Sequence, residues 1–294
     1  MQQKKKLLLG AHISIAGGFE KALIAGESIG CTAIQIFTKS NRQWAAKNIT
    51  QQDANLFKET WEKSNVTSII AHASYLINIG SPNEETSNKS TKALAEEISR
   101  CDALGIRYLV VHPGSHLQEG IDKCILIIAR NLDTIFDTIS TNVTILLETM
   151  AGQGSSIGYH FEQIARIRTL SKYKAKIGAC FDTCHAFAAG YDFTTKKTYE
   201  HMWNHFDKTI GLEHLYAIHM NDSKRECGSR IDRHQDIGLG KLGLLPFEFL
   251  INDPRFFDIP KILETPKTSL AEDLKNMETL KNLISDKTKK ILTY

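Results

Sequence analysis

The chain has 294 residues, 42% of them hydrophobic and 23% charged, a composition that builds a large core and excludes long disorder, collagen and coiled coil as the main state. Thirty-six basic against 33 acidic residues leave a formal net charge of +3, which neither demands nor excludes a nucleic-acid partner, because a local basic patch decides that. No run approaches the roughly 20 apolar residues of a membrane span, residues 1–10 are too short in apolar residues for a signal peptide, and the six cysteines, without a C-x-x-C pair, read as reduced, mostly buried thiols of a cytoplasmic protein.

Residues 3–6 read as a frayed basic tail. After them, short apolar runs alternate with helix-period segments. In chain order the runs are 7–13, 33–38, 68–72, 108–112, 144–148, 177–182, 215–219 and 260–264. Between the third and fourth, Leu94, Ile98, Cys101 and Leu104 step along one helical face that Gly105 terminates. Between the fourth and fifth, Ile121, Cys124, Ile125, Ile128, Leu132, Ile135, Phe136 and Ile139 form the clearest such stripe. Near-continuous apolar runs suit parallel strands covered by helices on both sides. Eight strands and about eight helices in alternation predict an α/β fold, a single-domain (β/α)8 TIM barrel over residues 1–294 with its active site at the C-terminal face of the strands. A doubly wound open sheet is the alternative, weakened by the lack of a G-x-G-x-x-G after the first strand. Residues 223–243 are the longest irregular piece, a length that points to a functional loop.

The last residues of runs three to eight are His72, His112, Glu148, Asp182, His219 and Glu264. In a barrel these ends converge, and clustered ionisable groups repel or lose hydration unless something binds them. His185 follows Asp182 by three, and Asp232 and His234 form a D-x-H in the long loop. A tetrahedral zinc takes about four ligands, so nine candidates imply two or three ions. The histidine-rich set suits zinc, with manganese or iron as alternatives. Four carboxylates, three divalent ions and a bridging hydroxide leave a net charge of about +1, which attracts a phosphodiester; such centres clamp both oxygens of an in-line displacement.

With their surroundings these residues resemble the endonuclease IV family of apurinic/apyrimidinic (AP) endonucleases. The resemblance runs through Gly10-Ala11-His12, Phe37-Thr38-Lys39 with Arg42-Gln43-Trp44, and His72-Ala73-Ser74-Tyr75-Leu76-Ile77-Asn78. It continues through His112-Pro113-Gly114-Ser115-His116, Glu148-Thr149-Met150-Ala151-Gly152-Gln153-Gly154, residues 182–192, 219–222 and 228–234, and Glu264-Thr265. The resemblance implies a barrel with three Zn2+ that cuts DNA 5′ of an abasic site. It implies that His72, His112 and Glu148 hold one ion, that Glu148 bridges to a second completed by Asp182, His219 and Glu264, and that His185, Asp232 and His234 hold a third, more open one. Hydroxide between the first two would attack phosphorus, oriented by Glu264 or Glu148 as catalytic carboxylates, to leave a 3′-hydroxyl and a 5′-deoxyribose phosphate. Cleaning of blocked 3′ ends would be a further use of the same site.

Phosphate contacts are expected from Lys39 and Arg42 in the second loop and from Lys224, Arg225, Arg230, Arg233 and Lys241 in the seventh. The resemblance makes Arg42, Tyr75 and Leu76 a wedge in the base stack; the alternative is that Tyr75 and Leu76 cap the barrel core. His12 and His116 are placed behind the ligands or against phosphate. His160, His201, His205 and His214 are read as structural. The partner is thus duplex DNA bearing abasic sites, with a monomer needing no obligatory protein partner. Metal-dependent sugar isomerases and epimerases share the barrel and its strand-end acids, so fold alone leaves them as the rival; a non-catalytic DNA-binding or zinc-storage protein is the third reading.

Overall fold

The computed structural model describes residues 4–293; residues 1–3 and 294, which the expected leader-free start and the 1–294 span include, lie outside the described residues. Eight parallel strands close a barrel in sequence order: β1 (Leu9–His12), β2 (Ala33–Phe37), β3 (Ser68–His72), β4 (Tyr108–Val111), β5 (Thr144–Glu148), β6 (Ile177–Asp182), β7 (Leu215–His219) and β8 (Lys261–Leu263). The open sheet is thereby excluded. Around them run α1 (Phe19–Ser28), α2 (Gln51–Lys63), α3 (Glu84–Leu104), α4 (Ile121–Thr138), α5 (Phe161–Leu170), α6 (Thr183–Ala189), α7 (Lys196–Thr209), α8 (Leu245–Ile251), α9 (Leu270–Asn282) and α10 (Asp286–Lys289). Two helices follow β6 and two follow β8, so the alternation is looser than expected.

Local chemistry explains the helix limits. Thr50 and Asp53 form a capping box on α2, as Ser269 and Glu272 do on α9. Gly105 ends α3 at φ 76°, the left-handed region that glycine enters without steric cost. The stripe on α4 buries Cys124, Ile125, Ile128, Leu132, Ile135 and Phe136 against the barrel, while Ile139 falls one residue past the helix end. Each full burial of a large apolar side chain contributes about 1.5–3 kcal/mol, which locks the helix layer to the strands.

The period-two pleat decides the inside of the barrel. Ala33, Ile70, Val110, Leu146, Cys180, Ala217 and Ile262 form one buried apolar cluster there. Two residues further along their strands stand Gln35, His72, His112, Glu148, Asp182, His219 and Glu264, and His12 is registered beside Gln35. The interior is thus apolar at mid-height and ionisable at its C-terminal end. A register shift between Ala179 and Cys180 absorbs an extra residue of β7 and keeps Ala217 and His219 inward. His112 and Glu264 lie one residue past β4 and β8, not on them.

Three expectations need correction. Lys5–Lys6 is no frayed tail but pairs in parallel with Leu292–Thr293. Residues 223–243 are not irregular throughout: His234–Gln235 pairs antiparallel with Asp222–Ser223, and the buried Asp222 carboxylate accepts from the backbone N–H of Ser223, Gly238, Gly240 and Leu242. That one carboxylate knots both ends of the loop to the top of β7. Lys39 is 4% exposed, its Nζ donating to Trp44 O at 3.0 Å and lying 3.8 Å from the buried Glu97, so it ties its loop to α3 and grips no phosphate.

At the N-terminal end of β8, Lys261 is fully buried and donates to Phe256 O and Ile259 O at 2.6 and 2.9 Å. Burial pushes its ammonium down to about 7. Between that value and the unfolded value of about 10.4 the unfolded chain binds the extra proton, so stability rises with pH across this window. Lys261→Met is expected to flatten that rise, measured as urea midpoints of both proteins from pH 7 to 10; parallel profiles would refute the assignment.

Candidate metal centre

Glu148, at the end of β5 and fully buried, is the hub of the site. Its Oε2 lies 3.2 Å from His72 Nε2 and 3.3 Å from His112 Nε2; its Oε1 lies 3.1 Å from His185 Nδ1 and 3.2 Å from His219 Nδ1. His219 Nδ1 is also 3.1 Å from Glu264 Oε2 and 3.8 Å from Asp182 Oδ2. Further out, His185 Nε2 is 3.2 Å from Asp232 Oδ2, and His234 Nε2 is 3.5 Å from Asp232 Oδ1 and 3.4 Å from His185 Nε2. Among the described residues the ligand-type atoms fall into groups lying within 4.8 Å of one another: His72, His112 and Glu148; Glu148, Asp182, His219 and Glu264; His185, Asp232 and His234. All nine side chains singled out in the sequence are therefore together. A further group, Asp182, Cys184 and His234, adds a thiol that the sequence reading left out; burial pushes that thiol up to about 12, which keeps it protonated at neutral pH.

The elements place these groups for local reasons. Asp182 caps α6, its Oδ1 accepting from the His185 backbone N–H at 2.6 Å, so one carboxylate ends β6, starts the helix and turns His185 inward. Asn221 donates to Asp182 Oδ2 at 2.7 Å and accepts from the Glu264 N–H at 2.8 Å. Thr149 Oγ1 accepts from the Asp182 N–H at 2.8 Å. Asp232 is held by its N–H on Gln153 Oε1 at 2.9 Å.

Each of four imidazoles also has an oxygen acceptor at one ring nitrogen. His72 Nδ1 faces Ala73 O at 2.7 Å, His185 Nδ1 Thr149 O at 3.0 Å, His234 Nδ1 Glu264 O at 3.0 Å, and His219 Nε2 Gln35 Oε1 at 2.8 Å. A carbonyl at one nitrogen sets the tautomer and leaves the other nitrogen's lone pair for a cation, as metal-ligating histidines are arranged. Nitrogen and oxygen donors in this mixture suit zinc, and also manganese or iron. The residues present fit a metal centre.

Electrostatics agree with an arrangement made for added positive charge. Burial drives the Glu148 carboxyl up, yet the His219 and His112 imidazoles outweigh it and hold the group well below the usual carboxylate range. Glu264 follows the same balance, burial against His219. Burial also opposes ionisation of Asp232, but His185 and His234 bring it down to about 2. Burial disfavours charge on His185 and His219; Asp182, Asp232 and Glu148 around the first, and Cys180, Glu264 and Glu148 around the second, raise both well above the ordinary imidazole value.

Around this centre the rim carries the other expected residues. Tyr75 is 55% exposed, its ring 5.6 Å from Phe37, 5.4 Å from His72 and 5.3 Å from His112. It roofs the first group and leaves a free face; Leu76 is half-buried and Ile77 takes the core position. Arg42, Lys224, Arg225, Arg230 and Arg233 are exposed, with the Arg230 guanidinium stacked 4.9 Å over Tyr159. Lys241 pairs with Glu226. His12 and His116 are half-buried beside the site loops; burial favours the neutral His12 ring. His160, His201, His205 and His214 sit in or beside helices, and His205 pairs with Glu162. Gln35, Asn221 and Thr149 were missed. Counting two residues on from Ala33 reveals Gln35; nothing in the sequence marks the Thr149 carbonyl.

A closed (β/α)8 barrel with converging imidazole–carboxylate groups that could hold metal ions at its C-terminal rim defines the class of the protein as a TIM barrel with a candidate metal site. Residues 23–284 match the family model described as a xylose isomerase-like TIM barrel. The chain is 48% identical over 285 residues to probable endonuclease 4 of Geobacter sulfurreducens, covering 96% of each. The crystal structure of endonuclease IV from Thermus thermophilus superposes with a TM-score of 0.83 at 33% identity, over 94% of this chain and 98% of that one. A D-tagatose 3-epimerase-like protein matches with a TM-score of 0.68 at 18% identity over 93% and 96%, a likeness of fold alone. The chain belongs to the endonuclease IV family. No helix among the described residues is long and apolar enough to cross a membrane.

Because His185 and His219 hold protons tightly in the ion-free chain, a divalent cation must displace them. Zinc uptake at pH 7 is expected to release protons, and the apparent affinity to fall as pH is lowered. Calorimetric titration in two buffers of different ionisation enthalpy reads both; identical heats would contradict the assignment.

Proposed function

We propose that this protein is a zinc-dependent endodeoxyribonuclease of base excision repair, which hydrolyses the phosphodiester 5′ of abasic sites in duplex DNA. The products are a 3′-hydroxyl and a 5′-deoxyribose phosphate, and blocked 3′ ends fit the same site. The observation that carries the reading is the division of nine ligand-type side chains into three groups under a basic, aromatic rim, in a chain 48% identical to a probable endonuclease 4.

His72, His112 and Glu148 would hold one Zn2+, Glu148, Asp182, His219 and Glu264 a second, and His185, Asp232 and His234 a third, any of which Mn2+ or Fe2+ could replace. When bound, the ions supply an activated water and positive charge for the phosphoryl and leaving oxygens. The chain does the rest. Glu148 gathers the imidazoles. Glu264, whose side chain is 12% exposed where that of Glu148 is 0%, is the carboxylate nearer the opening and orients the attacking water. Asp232, 39% exposed, leaves the outer group open to a phosphate oxygen. Arg42, Lys224, Arg230 and Arg233 grip the backbone. Tyr75 and Leu76 occupy the gap of the missing base; extrusion there costs little, since nothing is unpaired. We take the working form to be a cytoplasmic monomer of one domain without an obligatory protein partner.

A labelled duplex with one tetrahydrofuran abasic analogue is expected to be cut once, just 5′ of the analogue. Chelation should abolish the cut and zinc restore it. The analogue cannot undergo β-elimination, so a cut is hydrolytic; no cut by metal-loaded protein overturns the reading. Glu264→Gln should lose about 10²–10⁴-fold in turnover with an unchanged circular dichroism spectrum. Tyr75→Ala should weaken binding to abasic duplex more than to intact duplex; an equal loss on both, or unchanged affinity and cutting, would take Tyr75 out of abasic-site recognition.

A further inference from the structure

Gln35 is fully buried in the middle of β2, pointing into the ligand layer. A buried primary amide must find partners for its carbonyl and both N–H groups, because each unmet group keeps its desolvation cost uncompensated. Here all three are met, and in one orientation only. A carboxylate accepts and cannot donate, so the amide nitrogen faces Glu264 Oε1, at 2.6 Å. The amide oxygen then faces His219 Nε2, at 2.8 Å, and the imidazole must donate. That leaves His219 Nδ1 directed at Glu148 Oε1 and Glu264 Oε2, at 3.2 and 3.1 Å. A lone pair facing two carboxylates at such distances is repulsive unless a proton or a cation lies among them.

The second amide hydrogen meets His12 Nδ1 at 3.0 Å. With Nδ1 accepting, the His12 proton sits on Nε2, a buried atom with no hydrogen-bond partner among the described residues. One amide therefore sets three neighbours at once: the tautomer of His219, the direction of the Glu264 carboxylate and the tautomer of His12.

We propose that Gln35 is a positioning residue of the second metal group, aligning His219 Nδ1 and Glu264 Oε2 on one cation and committing His12 to present Nε2–H. This rests on the metal reading above. Gln35 meets no ion itself; it acts through two side chains that do.

The test uses purified, metal-depleted full-length protein and Zn2+ alone, in competition with a chromophoric chelator. Gln35→Leu removes donor and acceptor at similar volume. Gln35→Glu keeps the acceptor for His219 and removes the donors to Glu264 and His12. Both variants are expected to bind one class of zinc about 10–100-fold more weakly, with the remaining equivalents unchanged. The ¹⁵N shifts of the His219 ring should leave the Nε2–H pattern in Gln35→Leu and keep it in Gln35→Glu, whose carboxylate still accepts from Nε2–H. If Gln35→Leu does not fold, Gln35→Glu decides by its zinc affinity. Wild-type zinc affinity across all equivalents in a folded variant overturns this inference alone. A wild-type chain that takes up no zinc overturns it together with the metal reading.

Discussion

Glu148 is a carboxylate that water cannot reach, and four imidazole nitrogens lie within 3.3 Å of its two oxygens. A buried charge of this kind is costly unless it is paired and hydrogen-bonded. The imidazoles are its compensation, and three of them are oriented in turn: His72 by Ala73 O, His185 by Thr149 O and His219 by the amide of Gln35. The carbonyl of Glu264 does the same for His234 in the outer group, and three of these four acceptors are backbone atoms of the barrel's own strand ends. The position of the hub thus constrains β2, β3, β5 and β8 together, and the site is as rigid as the barrel mouth.

The same economy of parts recurs outside the hub. Asp182 ends a strand, caps a helix and faces His219. Asp222 gathers four backbone N–H groups and so holds the loop that carries Asp232 and His234. Lys39 and Glu97 tie the second loop to α3, which frees Arg42 to stand in solvent. Lys39, which sequence alone offers as a phosphate contact, is thus a fastener, as Asp222 is, of a loop that bears exposed rim residues.

The barrel is shared with sugar epimerases at sequence identities too low to carry chemistry. This chain builds its own features on the frame: a histidine-rich floor in three groups, a tyrosine roof over the first of them, and exposed arginines on the second and seventh loops. An ionic floor under a basic rim suits an anionic polymer far better than a neutral sugar.

The alternation of apolar runs and helical stripes was enough to predict the barrel, because period two and period 3.6 are local properties of the chain. Six ionisable residues at run ends were legible for the same reason, and D-x-H and D-x-x-H spacing added three. Four runs coincide with their strands, whereas His112 and Glu264 step off β4 and β8, a one-residue matter of where pairing stops. Gln35 escaped because its run continues past it to Thr38, so it does not stand at an end; only closure of the sheet, with its stagger, lifts Gln35 into the same layer as His219 and Glu264. The burial of Lys39 and the knot at Asp222 were likewise invisible, since both depend on groups brought close across the fold. The sequence by itself determined the elements and the kinds of donor atom. The tertiary structure decided which donors share a cation, because that depends on distances between atoms contributed by different strands.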